Sequence, residues 1–492
     1  MSLSLSFDIG RSSLATTAER SAVVSRNVAG VGDPNATRKD ALVVTSYGGG
    51  VRVNGVGRVS NAALFDNLVS ATSNYSAKTA EMGGLDIVES VMGGIELGRS
   101  PTALLGNLRD ELQFFSSAPN DIIRAQSAVA AAKDLATQLN TLSTTVAQVR
   151  QDADAQLEQS VADLNSLLET FEEVNNAIIR GTQFNEDVTD YLDQRDGLLL
   201  AISEEVEIRT VTRSNNDVVI FAAGGATLFE RTPRTVEMVP SPVLPAGTDG
   251  GAVYIDGMPI TGPNATAPAQ SGRIAGLATL RDDTLPSFQA QLDEIARSLV
   301  EAFAESDQSA VPALPDVPGL FTYAGATGVP AAGTLVDGLA AIIEVNANVD
   351  PDQGGDPFLL RDGAISDPLN PAYSYNTAGE AGFTGRINEL MGNFSTQVTF
   401  DAAAGLETTA SLIEFTSSAE GWFQKMRSDV DDEREYTTIV VEKSREVLSS
   451  NVGVNLDEEM TKLLDLERSY QASSRLLQVV DQMYEAILAA TS

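Results

Sequence analysis

The sequence predicts a mainly α fold with a β insert. The expected molecule is elongated and multi-domain, with a long helical bundle or coiled coil formed by both chain ends and a small β domain between them. Three observations predict it. Residues 121–180 run for 60 residues without Gly or Pro. Leu456, Leu463, Tyr470, Leu477 and Tyr484 recur every seven residues toward the end of the sequence. Between these stretches, from about residue 206 to 272, Gly, Pro, Val and Thr dominate and helical spacing gives way to alternation. A length of 492 residues allows roughly three domains and a sizeable core.

The elements follow in order. Leu3, Phe7, Gly10, Leu14, Thr17, Ser21, Val24 and Val28 step by four and three, a seam of period 3.5 with small residues at its middle. The breakers Gly30 to Asn35 end it. Alternating runs at Ala41–Thr45 and Val51–Val59, around Gly48–Gly50, read as a β-hairpin or extended arm. In the Gly-free stretch, Pro119 suits the first helical turn and Gly181 the stop, and a continuous helix would be ~90 Å long. Leu135, Leu139, Leu142, Val146, Val149 and Ala153 form one stripe. Val161, Leu164, Leu168 and Phe171 resume it after a phase shift through Leu157, as in a stutter. A break near Gln151–Ala155, giving two helices, is the alternative.

A helix is expected over 185–203. Then Val206, Ile208 and Thr210 face Val218–Phe221 across Ser214–Asp217 as a hairpin. Helical spacing returns over 274–304, with a kink or boundary at Pro286. Residues 307–375 are rich in Pro, Gly and Asp and read as loops. Helices resume over 384–450, interrupted near 394–405. In the last helix the heptad positions listed above are joined by Leu466, Val480 and Ile487, with Ser473 the small exception. The expected domains are therefore the terminal helices (1–35 and 453–492), a helical rod (36–205, 273–306 and 376–452), a β-rich domain (206–272) and a loop-rich segment (307–375).

Composition excludes much chemistry. There is no Cys and no His, which removes disulfides, the usual zinc sites, Cys nucleophiles and Ser-His-Asp triads. The net charge of −36 repels phosphate backbones, so neither nucleic acid nor an anionic lipid surface is an expected partner. No apolar run is long enough to span a membrane, and the first residues lack the basic and apolar regions of a cleaved signal peptide. Packing copies of so acidic a chain side by side requires the charge to lie on outward faces and the contact seams to be close to neutral.

Three acidic motifs invite chemistry. Asp350-Pro-Asp352-Gln-Gly-Gly-Asp356 resembles the start of a calcium loop, but Gly354 and Arg361 stand where ligands are needed. Asp193 and Asp196 form an i,i+3 carboxylate pair of the kind glycosidases use. Arg195 beside them favours surface ion pairing instead. Asp457-Glu458-Glu459 suits the N-terminus of the last helix, with Asn455 as its cap. No phosphate loop or G-x-S-x-G motif is present. Neither a cofactor nor a catalytic residue is expected. The seams are the functional candidates, with Leu456, Leu463, Leu466, Tyr470, Leu477, Val480, Tyr484 and Ile487 forming one face. Leu3, Phe7, Leu14 and Val24 meet them.

Three motifs also resemble the bacterial flagellar axial proteins, and within them the FlgK family of hook–filament junction proteins. Asn27-Val-Ala-Gly-Val-Gly-Asp-Pro34-Asn-Ala-Thr37-Arg38-Lys aligns without gaps on that family's N-terminal pattern, N-I-A-N-x-N-T-P-G-Y-S-R-Q. Asn35-Ala36 replaces the usual Gly-Tyr. Tyr191-Leu-Asp193-Gln-Arg195-Asp196 is similar to the L-x-D-Q-R-D element. Gly453-Val-Asn455-Leu-Asp457-Glu458-Glu459, followed by Tyr470-Gln471-Ala472, is similar to the C-terminal signature. The resemblance implies a structural, extracellular protein of the flagellum, exported by the type III route without signal cleavage. It implies a ring of copies between hook and filament, joined through the terminal helices with Asn27 and Arg38 at the interface. Implied partners are the hook protein, another hook-associated protein and an export chaperone on the C-terminal helix. A flagellin-like or third hook-associated protein, a secreted carboxylate glycosidase of the cell wall, and an adhesive role for 206–272 are the alternatives.

Overall fold

The computed structural model describes residues 3–46, 49–93, 98–309, 311 and 314–491. Gly48, in the arm's turn, lies outside them.

Its spine is set by the longest helix-compatible stretch. The early elements are α1 (Leu3–Ala29), β1 (Lys39–Thr45), β2 (Val51–Arg58), α2 (Ala62–Met92), α3 (Pro101–Ser117) and the spine α4 (Ile122–Phe184). At 63 residues, α4 is about 95 Å long. Asp121 caps it by accepting from the Ile123 N–H at 2.9 Å, so Pro119 precedes the helix and is not in its first turn. Gly181 does not stop it. The helix continues to Phe184 and ends on Asn185, whose left-handed φ of 56° does the work expected of glycine. The apolar stripe is buried from Leu135 through Leu157 to Ile178, so the alternative of two helices broken near 151–155 falls. α4 packs against α2 and α3, and its Ala125, Ala128, Ala132 and Ala136 are buried.

After α5 (Thr189–Glu205), β3 (Ile208–Thr212), β4 (Val218–Ala222) and β5 (Thr227–Phe229) form an antiparallel sheet. Ile208 pairs with Ala222 and Thr212 with Val218. Asn215 and Asn216, both at positive φ, make the expected turn. A second sheet holds β6 (Val236–Met238), β7 (Val253–Ile255) and β8 (Met258–Pro259). Both sheets rest on α4. Phe229 meets Phe171 edge-on at 4.9 Å, and Asn165 bonds both the N–H (3.2 Å) and the C=O (2.9 Å) of Val236.

The chain returns through α6 (Arg273–Thr279), a π-helical turn at Leu280–Thr284, and α7 (Leu285–Ala302). Gly276 lies so close to α2 that a Cβ would sit 2.2 Å from the Ala77 carbonyl oxygen. The irregularity expected at Pro286 is this π turn, which leaves Pro286 in the first turn of α7, where its missing N–H is harmless. The fully buried Arg281 in the turn donates to Asp154 of α4 and to Asp282, and Arg150 donates to the Arg281 carbonyl at 2.8 Å. Burial holds the Arg150 guanidinium below its usual range.

The loop-rich stretch carries β9 (Phe321–Tyr323), α8 (Leu339–Ile342), β10 (Ile343–Val345) and α9 (Leu359–Asp362). It wraps α7 and the residues just after it, where buried carboxylates bond its backbone. Asp293 accepts from the Gly338 and Ala340 N–H groups, both at 2.8 Å, and Glu305 from Ile365 at 2.9 Å. At the calcium-like loop, Lys133 Nζ lies 3.0 Å from Asp350 and 2.7 Å from Asp352, so an ammonium stands where a cation would. Then come α10 (Gly385–Asn393), the β11 (Gln397–Thr399) and β12 (Thr409–Ser411) pair, and α11 (Leu412–Val452). Ser411 and Glu414 form a capping box at the start of α11, which packs along α2. After Gly453–Asn455, α12 (Leu456–Thr491) turns back along α1. The molecule is mainly α with small β regions and elongated, and its first and last helices contact each other.

Candidate assembly interface

The seam residues of α1 and α12 are too few to bury a helix each, so the two helices share a face. They run antiparallel. Gly10 lies against Leu476 and Leu477, Ser13 Oγ is 2.8 Å from Ser473 Oγ, and Asn27 reaches Glu459 at 2.8 Å. The small residues at the middle of the α1 seam set the approach, since a Cβ on Gly10 would be 2.8 Å from Leu477 Cδ2. On the neighbouring face of α1, Ser12 and Thr16 hold Val51 of the β-hairpin arm. Val51 N–H donates to Ser12 Oγ (3.2 Å), and Thr16 Oγ1 donates to the Val51 carbonyl (2.9 Å).

The contact uses part of the expected seam. Leu466 and Val480 are buried on α12, and Val24 on α1. Leu3, Leu14, Leu463 and Leu477 are half-buried. Phe7 (39%), Leu456 (45%), Tyr470 (50%), Tyr484 (36%) and Ile487 (48%) remain exposed. In the single chain these five are left largely to solvent. Among the described residues α12 packs chiefly on α1, which leaves the rest of its circumference open. Leu464, Leu476, Val479 and Met483 are exposed beside them.

The base of the interface is a polar knot that ties three distant stretches together. Asn27 is buried. Its Nδ2 donates to the Lys39 carbonyl and to Glu459 Oε2, both at 2.8 Å, and its Oδ1 accepts from the Lys39 N–H at 3.0 Å. Glu459 is fully buried and also takes Lys462 Nζ at 2.6 Å. Lys39 Nζ bridges Asp190 (2.6 Å) and Asp193 (3.0 Å) of α5. Arg58 bridges Asp193 (3.2 Å) and Asp196 (2.7 Å), and Thr37 Oγ1 donates to Asp193 at 2.6 Å. The Arg38 N–H donates to the Val452 carbonyl at 2.8 Å, and its guanidinium lies 3.4 Å from Glu458. Arg26 pairs with Asp187 at 2.8 Å.

The titrations follow from these contacts. Burial alone would lower the Lys39 ammonium, but Asp190 and Asp193 outweigh it and hold it above the ordinary 10.5. Its pairing therefore stabilises the fold fully below 10.5 and is lost as pH rises through the higher folded value. Burial pushes Asp196 up despite Arg58. Burial also pushes the Asp187 carboxyl up, but bonds from Arg26 and Thr189 outweigh that and leave it below its usual range.

The carboxylate pair is thus occupied by Lys39 and Arg58. Arg195 is not its partner, as the sequence suggested. It is buried, turned toward Asn175 (3.3 Å), and lowered to about 10 by burial. Asn455 does cap α12, accepting from Asp457 (2.9 Å) and Glu458 (3.3 Å). Sequence reading missed Lys39, Arg58 and Glu459. For Glu459 a signal existed, because it falls seven residues before Leu466, at a seam position where a carboxylate demands a partner. Among the described residues no group of three or more Asp or Glu side chains is placed to hold a metal ion, and no helix is long and apolar enough to cross a membrane.

Comparison with known proteins adds two family matches. Residues 86–314 match the flagellar hook-associated protein FlgK helical domain, and residues 449–490 match the C-terminal family of the flagellar basal body rod FlgEFG proteins. Flagellar hook-associated protein 1 of Escherichia coli K12 is 22% identical over 530 aligned positions, covering 95% of each chain. The protein of the same name from Bacillus subtilis 168 is 21% identical, over 78% of this chain and 75% of its own. That from Salmonella typhimurium LT2 is 25% identical, over 52% of this chain and 46% of its own. Among solved structures, the flagellar hook junction protein FlgK from Burkholderia pseudomallei aligns with a TM-score of 0.41 and 23% identity, over 52% of this chain and 46% of that one.

Proposed function

Because the chain belongs to the FlgK-like superfamily of flagellar hook-associated proteins, and is a structural axial protein of the flagellum, we propose that it is the subunit that joins hook to filament. The observation that carries this reading is the pairing of two matches in one chain. A FlgK-type helical domain lies over 86–314, and the last helix is of the kind that basal-body rod proteins carry. A flagellin-like or third hook-associated role accounts less well for the first match. The glycosidase reading loses its carboxylates to Lys39 and Arg58.

In this role the chain leaves the cell by the flagellar type III route without signal cleavage and works outside it. Copies pack side by side through α1 and α12, with the hook protein on one side and another hook-associated protein on the other. The exposed seam residues Phe7, Leu456, Tyr470, Tyr484 and Ile487 meet neighbouring subunits, and before export α12 meets a chaperone. The knot at Asn27, Arg38 and Glu459 holds this terminal unit at a fixed angle to the rod.

The test is Leu463→Asp combined with Leu477→Asp, introduced in place of the native gene. Two carboxylates on the α12 face should leave a folded, soluble middle and abolish filament attachment, seen by electron microscopy as bare hooks. Filaments of normal number and length would refute the seam role.

A further inference from the structure

Two unpartnered apolar surfaces flank α1 at the same height. The turn of α1 at residues 10–16 is held on one side by Val51 of the arm and on the other by Ser473 and Leu477 of α12. Ser12 and Ser13, which make these contacts, are one residue apart and so about 100° apart around the helix. The arm and α12 thus stand side by side, splayed, each with an uncovered outer surface. On the arm, Leu42, Val43 and Val44 are all exposed, on a strand paired along only one edge. On α12, Val479 and Met483 are exposed four residues apart, and Leu476, which lies against Gly10 of α1 but is still 46% exposed, borders them. Consecutive exposed apolar residues on an edge strand are what proteins ordinarily avoid unless something covers them.

Charge says what covers them. In a chain of net charge −36, residues 1–60 carry seven basic and four acidic residues, a net +3. Residues 456–491 carry three basic and seven acidic residues, a net −4. Part of this opposition is used within the chain, as in Arg38–Glu458. On the first side the cations Arg11, Arg20 and Arg52 and the anions Asp8 and Glu19 are exposed and make no ion pair with any described residue; on the second the same holds for Asp481, Glu485 and Arg475. The arm's spare charge is the cation Arg52, and that of the helix stripe is net negative, Asp481 and Glu485 against Arg475, so the two surfaces are complementary, and one chain offers both.

We propose that the arm of one copy docks on the outward stripe of α12 of the next copy. The contact joins two different surfaces, so it is heterologous and propagates around a ring or along a helix instead of closing a dimer. This rests on the self-assembling role argued above and names the surfaces that carry it.

The absence of cysteine makes the test clean. Full-length Val43→Cys and Val479→Cys chains are prepared separately, then oxidised alone and mixed, with sedimentation of the same samples reporting assembly. The expected result is a covalent dimer in the mixture and none in either chain alone. Adding Arg52→Glu to the Val43→Cys chain should cut the yield about fivefold. If either chain cross-links to itself, the contact is isologous and the proposal is overturned. If the chains assemble but the mixture yields no dimer, this contact is wrong while self-assembly stands. If the chain stays monomeric at every concentration, self-assembly fails and this contact with it.

Discussion

Asn27 makes three hydrogen bonds to two partners that lie far apart in sequence, Lys39 and Glu459. A buried amide is suited to this, because one end accepts while the other donates. Asn27→Ala leaves the Lys39 backbone groups and one oxygen of a fully buried carboxylate without partners. The expected cost is about 2 kcal/mol. Hydrogen exchange at the first turns of α12 should then quicken roughly thirtyfold, while exchange in α4 is unchanged. An unaltered rate in α12 would mean that the knot does not hold the terminal unit. The role of Asn27 was visible in the sequence only through resemblance. Nothing in the spacing of Lys39, Arg58, Asp193 and Glu459 shows that they meet, because the contacts are set by how α5, the arm and α12 pack. The sequence placed Arg195 beside the carboxylates for the same reason of adjacency, and a helical turn carries it to the other side, toward Asn175.

At the scale of elements, periodicity was readable where burial is one-sided and long. The stripe from Leu135 to Phe171, the terminal seams and the hairpin at 208–222 are such cases. Ends were less readable, since capping is decided by single side chains. Asp121 and Asn185 set the limits of α4, not Pro119 and Gly181. The loop-rich segment after Ala304 was opaque because its order comes from buried carboxylates of and just after α7, which no local pattern reveals. The α1–α12 contact itself rests on shape at Gly10. Gly10→Ala brings a Cβ against the flexible side chains of Leu477 (2.8 Å) and Leu476 (3.2 Å), which can shift, and gains helix propensity, so it should be near neutral. Gly10→Leu should separate the helices, and Gly10→Leu with Leu477→Ala should restore the contact, read as helicity and protease resistance of the two helices. Failure of the double variant to recover would show that the helices meet elsewhere.

For the whole molecule, the −36 charge is not evenly spread, and the first 60 residues are net positive. The upper seam of α12 is apolar, whereas at its base Glu459 is buried, hydrogen-bonded by Asn27 and neutralised by Lys462. The rod and β sheets share a continuous core, whereas α12 buries little beyond Glu459, Leu466 and Val480. On the proposed role, stability belongs to the middle of the chain and assembly to its first and last helices. Hydrogen exchange on the unassembled full-length chain tests this division most directly. The slowest amides should lie in α4 and α7. Those of α1 and α12 should exchange orders of magnitude faster, with protection fading from the Asn27–Glu459 knot toward Leu3 and Ile487. Protection along α1 and α12 equal to that of α4 would contradict it, because those helices would then be satisfied within one chain and would have no face left for a neighbour.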